Sequence, residues 1–215
     1  ISYSVTGVQT CARPIFIILD SDQINAFAVP GGFIFITAGL IKVAENEDEI
    51  AAALAHEAVH VMLKHPLQAI AATRQYGIFS ELGSILAEGL GKLAGLSPQQ
   101  YNRMADVMED AIDAVLTPVL NGYNAEMEKE ADLNAVDVLL NAGYNPRALV
   151  SLINKLEAAV GKNGGGFHGS PAKRAQDVED KINNLKTIIP PIDEARSERF
   201  KINTAELRSP AVKSE

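Results

Sequence analysis

The chain has 215 residues, a net charge of -8 at pH 7 and 47% hydrophobic residues, a balance typical of a globular domain rather than a disordered segment. Its isoelectric point of about 5.1 argues against a nucleic-acid partner, which would require a basic surface. A single cysteine, Cys11, excludes an internal disulfide bond.

Two short apolar runs predict β-strands at residues 15–19 and 33–37. Each is rich in isoleucine and phenylalanine and lies next to a turn signal. The second run follows Gly31 and Gly32, which favour a turn. Because both runs are apolar on both faces, we expect helices to cover the sheet.

The next element is a predicted helix over residues 47–64. Asn46 is a suitable N-cap, and Glu49 three residues later fits a capping box. Residues 50–55 are apolar all round, which is typical of a helix that passes through a protein core. Pro66 is expected to end or kink this helix.

Helical patterns continue along most of the remaining chain. They cover residues 67–93, 98–120, 124–141, 146–160 and 171–186. Residues 161–169 contain five glycines and predict a flexible loop. We therefore predict an α+β fold, with one mostly helical domain over residues 1–190 and a small sheet packed on the helix at 47–64. Residues 191–215 are expected to form a peripheral tail or the start of a further region.

No uninterrupted apolar run reaches the roughly 18 residues that a membrane-spanning helix needs. The nearest candidate, residues 76–96, is broken by Glu81, Glu88 and Lys92. We predict an amphipathic hairpin over the core there, and a lid or membrane-surface element is the alternative. Since the first residue is Ile1, we expect a processed or trimmed chain, and a preceding signal, lipid anchor or domain would not be seen.

A metal-binding pattern lies within the helix predicted at 47–64. His56 and His60 are four residues apart, so both imidazoles share one helix face and suit two corners of a zinc tetrahedron. Glu57 can reach a metal-bound water without binding the metal, as a general base does. Chance gives this pattern in roughly one such chain in 200, so two core histidines are the alternative. Three ionisable groups in an apolar helix favour the metal.

A catalytic zinc needs a third protein ligand and one open position. The acidic cluster at residues 126–132 is the candidate donor. On a helix, Glu128 and Asp132 fall on the apolar stripe, whereas Glu126 and Glu130 fall on the opposite, polar side. We predict Glu128 as the ligand and Asp132 as the acceptor that orients a histidine N–H. The alternative is that these acids only stabilise the start of a surface helix. That explains Glu126 and Glu130 but not Glu128 and Asp132, which lie on the apolar stripe.

Two histidines remain to be assigned. His65 lies nine residues after His56, about half a turn around a continuous helix. We therefore predict that His65 is a surface residue that does not share the metal. His168 lies in the glycine-rich loop, where a histidine is usually solvated, but a flexible loop can also bring it to the site.

These motifs resemble a known family of gluzincin zinc metallopeptidases, which includes the CAAX prenyl proteases, HtpX and BepA. Residues 56–60 (HEAVH) and 128–132 (EKEAD) are similar to the family's HExxH and ExxxD motifs. Residues 25–32 (NAFAVPGG) resemble its NAFAxPGG segment, and residues 44–49 (AENEDE) resemble the start of its active-site helix. Residues 168–174 (HGSPAKR) resemble its HPxPxxR segment. The absence of a predicted membrane helix points to the soluble, BepA-like branch.

The resemblance implies one zinc ion per chain, bound by His56, His60 and Glu128, with Glu57 as the base. It also implies an edge strand on which an extended peptide pairs through its main chain, formed by Phe33, Ile34, Phe35 and Ile36. His168 would face the metal, either filling the open position or stabilising the oxyanion. Two residues depart from the family pattern: Ala125 replaces a common arginine, and Gly169 replaces the usual proline.

The resemblance further implies the biological setting. It implies a zinc endopeptidase with a polypeptide substrate and no nucleic-acid partner. Members of the soluble branch are mostly bacterial envelope proteins concerned with outer-membrane protein quality control, so we expect an envelope or periplasmic location. The sequence gives neither the natural substrate nor the oligomeric state, and association with a membrane surface stays open.

Two other functions fit the same residues. The chain could be a binding module that holds misfolded polypeptides on the strand at 33–37, with a purely structural zinc. It could instead be a structural zinc protein in which His168 permanently closes the fourth position, leaving no exchangeable water. Cleavage of casein with and without a chelator distinguishes both from a peptidase.

Overall fold

The computed structural model describes residues 14–73, 123–160 and 171–208. The segment at 76–96, the predicted helix at 98–120 and the loop that contains His168 lie outside the described residues.

The sheet has three strands: β1 (Ile15–Leu19), β2 (Ala26–Val29) and β3 (Phe33–Thr37). The strand order is β1-β3-β2, with β1 parallel and β2 antiparallel to β3. Gly31 and Gly32 connect β2 to β3 with φ values of 96° and 85°, a conformation that glycine adopts without steric cost. Both predicted strands are present, and β2 is an additional one.

The expectation that helices cover the whole sheet is wrong for β1. In β3, Ile34 and Ile36 are almost fully buried, but in β1 the exposed fractions of Ile15, Phe16 and Ile18 are 49%, 51% and 63%. Strand β1 lies at an edge of the sheet, where fewer described elements pack against it. An apolar strand pattern therefore did not distinguish a buried strand from an exposed one.

The described helices follow in chain order: α1 (Ala38–Val43), α2 (Glu47–Met62), α3 (His65–Thr73), α4 (Ala125–Asn141), α5 (Arg147–Val160), α6 (Pro171–Asn183), α7 (Glu194–Asn203) and α8 (Ala205–Arg208). Asn46 caps α2 as predicted, because its side chain accepts a hydrogen bond from the Glu49 N–H. The Glu49 carboxylate accepts from the Glu45 N–H, one residue before the position that a capping box uses. Helix α4 ends at Asn141, and Gly143 shortly after it has a φ of 79°.

Helix α2 lies at the centre of the described structure and packs against α4, α5 and β2. Its alanines Ala52 and Ala55 belong to the main apolar core, which α4, α5 and α6 complete. Small side chains let neighbouring helices approach closely, and the side chains of the metal-binding pattern on this helix, His56, Glu57 and His60, are buried. The mostly helical α+β fold with a small sheet beside this helix is confirmed. None of the described helices has both the length and the apolar character needed to cross a membrane.

The C-terminal segment differs from the expected peripheral tail over its described part. Phe200 on α7 is buried in a second apolar cluster with Leu40 and Leu152. Arg199 pairs with Glu47 at the start of α2, and Arg208 donates to the Ile41 carbonyl oxygen. A polar sequence with few apolar positions gave little sign of this packing. The domain boundary at residue 190 stays a prediction.

Candidate metal centre

The structure brings together the three residues predicted as metal ligands. Helix α2 holds His56 and His60 on successive turns, with their Nε2 atoms 2.9 Å apart. Glu128 on α4 approaches from the opposite side, with its carboxylate oxygens 3.3 Å from His56 Nε2 and 3.6 Å from His60 Nε2. All three side chains are buried. Their ligand atoms lie within 4.8 Å of one another, which is close enough for one ion to contact all three.

The donor chemistry of this cluster fits a metal cation. Asp132 Oδ1 lies 3.0 Å from His56 Nδ1, and a carboxylate can only accept a hydrogen bond, so Nδ1 carries the proton. The lone pair of His56 Nε2 then faces the Glu128 carboxylate, and two acceptors repel unless a cation or a proton lies between them. Two imidazole nitrogens and one carboxylate are a ligand set that catalytic zinc sites use.

Electrostatics of the metal-free protein also indicate a cation site. Burial opposes the charged imidazolium, but hydrogen bonds and charge from Asp132 and Glu128 raise the pKa of His56 to about 10. The buried carboxylates therefore attract positive charge strongly enough to outweigh the loss of solvent. A proton provides that charge in the metal-free protein, and a divalent cation would provide more.

Glu57 lies beside the ligands without belonging to the cluster. Its side chain is buried, and its Oε2 atom has no hydrogen-bond partner among the described residues. Burial raises the pKa of Glu57 to about 8, although the His56 charge and a backbone hydrogen bond from Ala28 lower it. A carboxyl group with a pKa near neutrality can both accept and return a proton.

Arg174 holds the carboxylate behind His56, and sequence reasoning did not assign it a role. From α6, its Nε and a terminal nitrogen lie 2.6 Å and 2.7 Å from the two Asp132 oxygens. It also lies 3.6 Å from Glu128. Burial opposes ionisation of Asp132, but hydrogen bonds from Arg174 and His56 lower its pKa. Arg174 is the last residue of the segment at 168–174 that resembles the family's HPxPxxR motif, so the sequence did contain an indication of its importance.

The prediction that His65 is a surface residue is wrong. Its exposed fraction is 1%, and its Nδ1 lies 2.8 Å from His60 Nδ1. The angular argument assumed a continuous helix, but α2 ends at Met62 and Lys64 has a φ of 61°. This left-handed residue turns the chain, and α3 begins at His65, which points back to His60.

Tyr123 is a further residue beside the ligands that sequence reasoning missed. Its ring stacks on His60, with centroids 4.2 Å apart. Its backbone N–H donates to Glu128 Oε1 at 3.3 Å, and its hydroxyl donates to the Ala28 carbonyl oxygen at 3.3 Å. Tyr123 thus contacts two of the three candidate ligands, through interactions that no local sequence pattern reveals.

The expected edge strand at Phe33, Ile34, Phe35 and Ile36 is wrong in this fold. These residues form β3, whose two edges are both paired, with β1 on one side and β2 on the other. A peptide cannot pair with main-chain groups that neighbouring strands already use. Strand β2 is the edge strand beside the cluster, since its Ala28 carbonyl oxygen accepts a hydrogen bond from Tyr123, whose ring stacks on His60.

Comparisons with known proteins agree with this geometry. The model of peptidase family M48 matches residues 6–191. The chain belongs to this family. The chain is 26% identical over 182 residues to the mitochondrial metalloendopeptidase OMA1 of Schizosaccharomyces pombe, covering 82% of the chain and 49% of the relative. It is 27% identical over 186 residues to the beta-barrel assembly-enhancing protease of Escherichia coli (strain K12), covering 81% and 35%. It is 30% identical over 165 residues to metalloprotease YcaL of the same strain, covering 75% and 59%.

Family membership decides the class of the protein. The chain is a metal-dependent peptidase of the M48 family. The expected branch, which contains the beta-barrel assembly-enhancing proteases, is also confirmed. A polypeptide substrate follows from that class. The chain spans about half or less of the length of the first relatives it matches. The relatives therefore contain long regions that have no counterpart in the sequence of this chain.

Proposed function

We propose that this chain is a zinc-dependent endopeptidase domain that hydrolyses extended polypeptides, with one zinc ion held by His56, His60 and Glu128. The observation that supports it best is the convergence of three buried metal-binding side chains at one point, beside a buried Glu57. This is the one cluster of its kind among the described residues. When bound, zinc polarises the scissile carbonyl and acidifies a water molecule.

The protein's own side chains then have separate tasks. Glu57 accepts the proton of the attacking water on its unpaired carboxylate oxygen and returns it to the leaving amine. Asp132 keeps the His56 proton on Nδ1, at 3.0 Å, so that Nε2 stays available as a ligand. Arg174 keeps Asp132 ionised and fixed through two hydrogen bonds.

An extended substrate pairs with the outer edge of β2, in the strand-addition mode. Support comes from the position of β2 at an edge of the described sheet, where the Ala28 carbonyl oxygen accepts from Tyr123 beside the cluster; a substrate strand would take the place of this hydrogen bond. A peptide along this edge lies beside both Glu57 and the two histidines. Because folded proteins rarely expose a free strand, misfolded or unfolded polypeptides are the substrates that this mode favours.

The same proposal assigns the protein to the bacterial cell envelope, with a role in protein quality control. It is supported by the bacterial beta-barrel assembly-enhancing proteases among the relatives, which the chain matches over about four fifths of its length. The mitochondrial relatives are the counter-indication. Fractionation of the source cells checks the location, and recovery of the protein only from the cytoplasm would contradict it.

Cleavage of casein by the purified chain tests the enzymatic part. We expect cleavage that a chelator abolishes and that one equivalent of zinc restores. Glu57→Gln should keep zinc, because Glu57 is not a ligand, and lose nearly all activity. Glu126→Gln is the matched control, since that residue lies on the exposed side of α4. Activity of Glu57→Gln within a few-fold of wild type would remove Glu57 as the base, and casein binding without cleavage would favour a binding module.

A further inference from the structure

We propose that His65 and Glu130 are positioning residues that keep the proton of His60 on Nδ1, so that its Nε2 lone pair is directed at the metal. The inference rests on the proposed ligand set, in which His60 binds through Nε2. Neither the family resemblance nor the ExxxD motif assigns a role to either residue.

The direction of the hydrogen bonds follows from the outermost group. Glu130 Oε2 lies 3.4 Å from His65 Nε2, and a carboxylate at this distance favours the hydrogen on that nitrogen of His65. With its hydrogen on Nε2, the His65 imidazole presents a lone pair at Nδ1, which can only accept. His60 Nδ1 lies 2.8 Å from that atom and must be the donor. The His60 proton therefore lies on Nδ1, and Nε2 is left with its lone pair.

The opposite tautomer of His60 is disfavoured at both ends of the ring. A proton on Nε2 would point into the cluster, where His56 Nε2 is only 2.9 Å away, and would occupy the position of the metal. It would also leave two nitrogen lone pairs facing each other at 2.8 Å between His60 and His65. Because the exposed fractions of these side chains are 0% and 1%, water cannot easily relieve that repulsion.

Each of the two histidine ligands is thus oriented through its Nδ1 atom, His56 by one neighbouring side chain and His60 by two in succession. His56 Nδ1 lies directly against the buried carboxylate of Asp132, at 3.0 Å. His60 donates to His65, whose Nε2 lies 3.4 Å from Glu130, a side chain with an exposed fraction of 55%. A second imidazole lets an acid at the surface fix the proton position of a completely buried ligand. The left-handed turn at Lys64 makes this possible, because it returns His65 to the cluster.

Two variants of His65 separate hydrogen bonding from packing. His65→Asn keeps an acceptor oxygen close to the position of Nδ1, whereas His65→Leu fills similar space without an acceptor. We expect His65→Leu to bind zinc at least about 10-fold more weakly than His65→Asn in a competition titration, as is typical when a group that orients a metal ligand is lost. Thermal unfolding of both metal-free proteins provides the packing control. Equal zinc affinities of the two variants would overturn the proposal.

The tautomer itself gives a readout that needs neither activity nor a variant. Long-range ¹⁵N–¹H NMR of histidine-labelled, metal-free wild-type protein should show the His60 hydrogen on Nδ1. A hydrogen on Nε2 of His60 would overturn the inference, even if neither His65 variant folds. The proposed function is judged separately: wild-type protein that binds no zinc at His60 would refute the ligand set, whereas normal zinc binding with equal variants would refute only the His65 role.

Discussion

Replacing Arg174 by methionine tests how the site is held together. The change keeps most of the apolar stem and removes the two hydrogen bonds to Asp132. The exposed fractions of the two side chains are 13% and 1%, so water replaces the guanidinium poorly. Removing one partner of a buried pair costs about 3–5 kcal/mol. Because Asp132 still contacts His56, we expect a loss near the lower limit, about 3 kcal/mol in the free energy of unfolding.

Urea denaturation of the metal-free protein measures this loss directly. Lys173→Met is the matched control, since Lys173 is the neighbouring residue, its side chain is 74% exposed, and it lies 3.9 Å from Asp177. A pair at such an exposed position contributes little, below about 1 kcal/mol. A double variant, Arg174→Met with Asp132→Asn, should lose less than the sum of the single changes. Equal stabilities of Arg174→Met and Lys173→Met would refute the structural role of the Arg174–Asp132 pair.

Three further predictions concern the site and the segments outside the described residues. Glu128→Gln should sharply lower zinc occupancy in metal analysis, whereas Glu126→Gln, on the exposed side of the same helix, should not; equal losses would contradict the assignment of the two helix faces. His168→Ala should keep or raise peptidase activity if His168 fills the open metal position, as we expect. A loss of about 100-fold in turnover would indicate an oxyanion donor instead. Residues 76–96 are predicted to cover the core, so the protein should not float with neutral or anionic vesicles; flotation would favour the membrane-surface alternative.

The ligand cluster could be predicted from the sequence because each part of its geometry depends on residues that are close together in the chain. A spacing of four residues places His56 and His60 on one helix face, and the same periodicity separates Glu128 and Asp132 from Glu130. Each of these inferences needs only a continuous helix, and α2 and α4 provide one. The helix that carries the histidines was also expected to be buried, since it is apolar all round.

Features that depend on non-local pairing or on one residue's backbone were not predictable. His65 was misplaced because nothing in the sequence required Lys64 to adopt a positive φ. Strand β3 was expected to be an edge strand from the family resemblance, and β2, which pairs with it, was not predicted because it is short and contains alanines, which have low strand propensity. The contact of Tyr123 with Ala28 spans 95 positions, and no periodic pattern reports an interaction at that distance along the chain.

Anomalous diffraction at the zinc absorption edge, from crystals of the zinc-loaded protein, tests the central claim most directly. We expect one strong peak per chain, about 2.0–2.2 Å from Nε2 of His56, Nε2 of His60 and a carboxylate oxygen of Glu128. Glu57 should lie outside bonding distance of that peak. A zinc ion bound elsewhere, a peak that lacks any of the three ligands, or no peak at stoichiometric zinc would contradict the account.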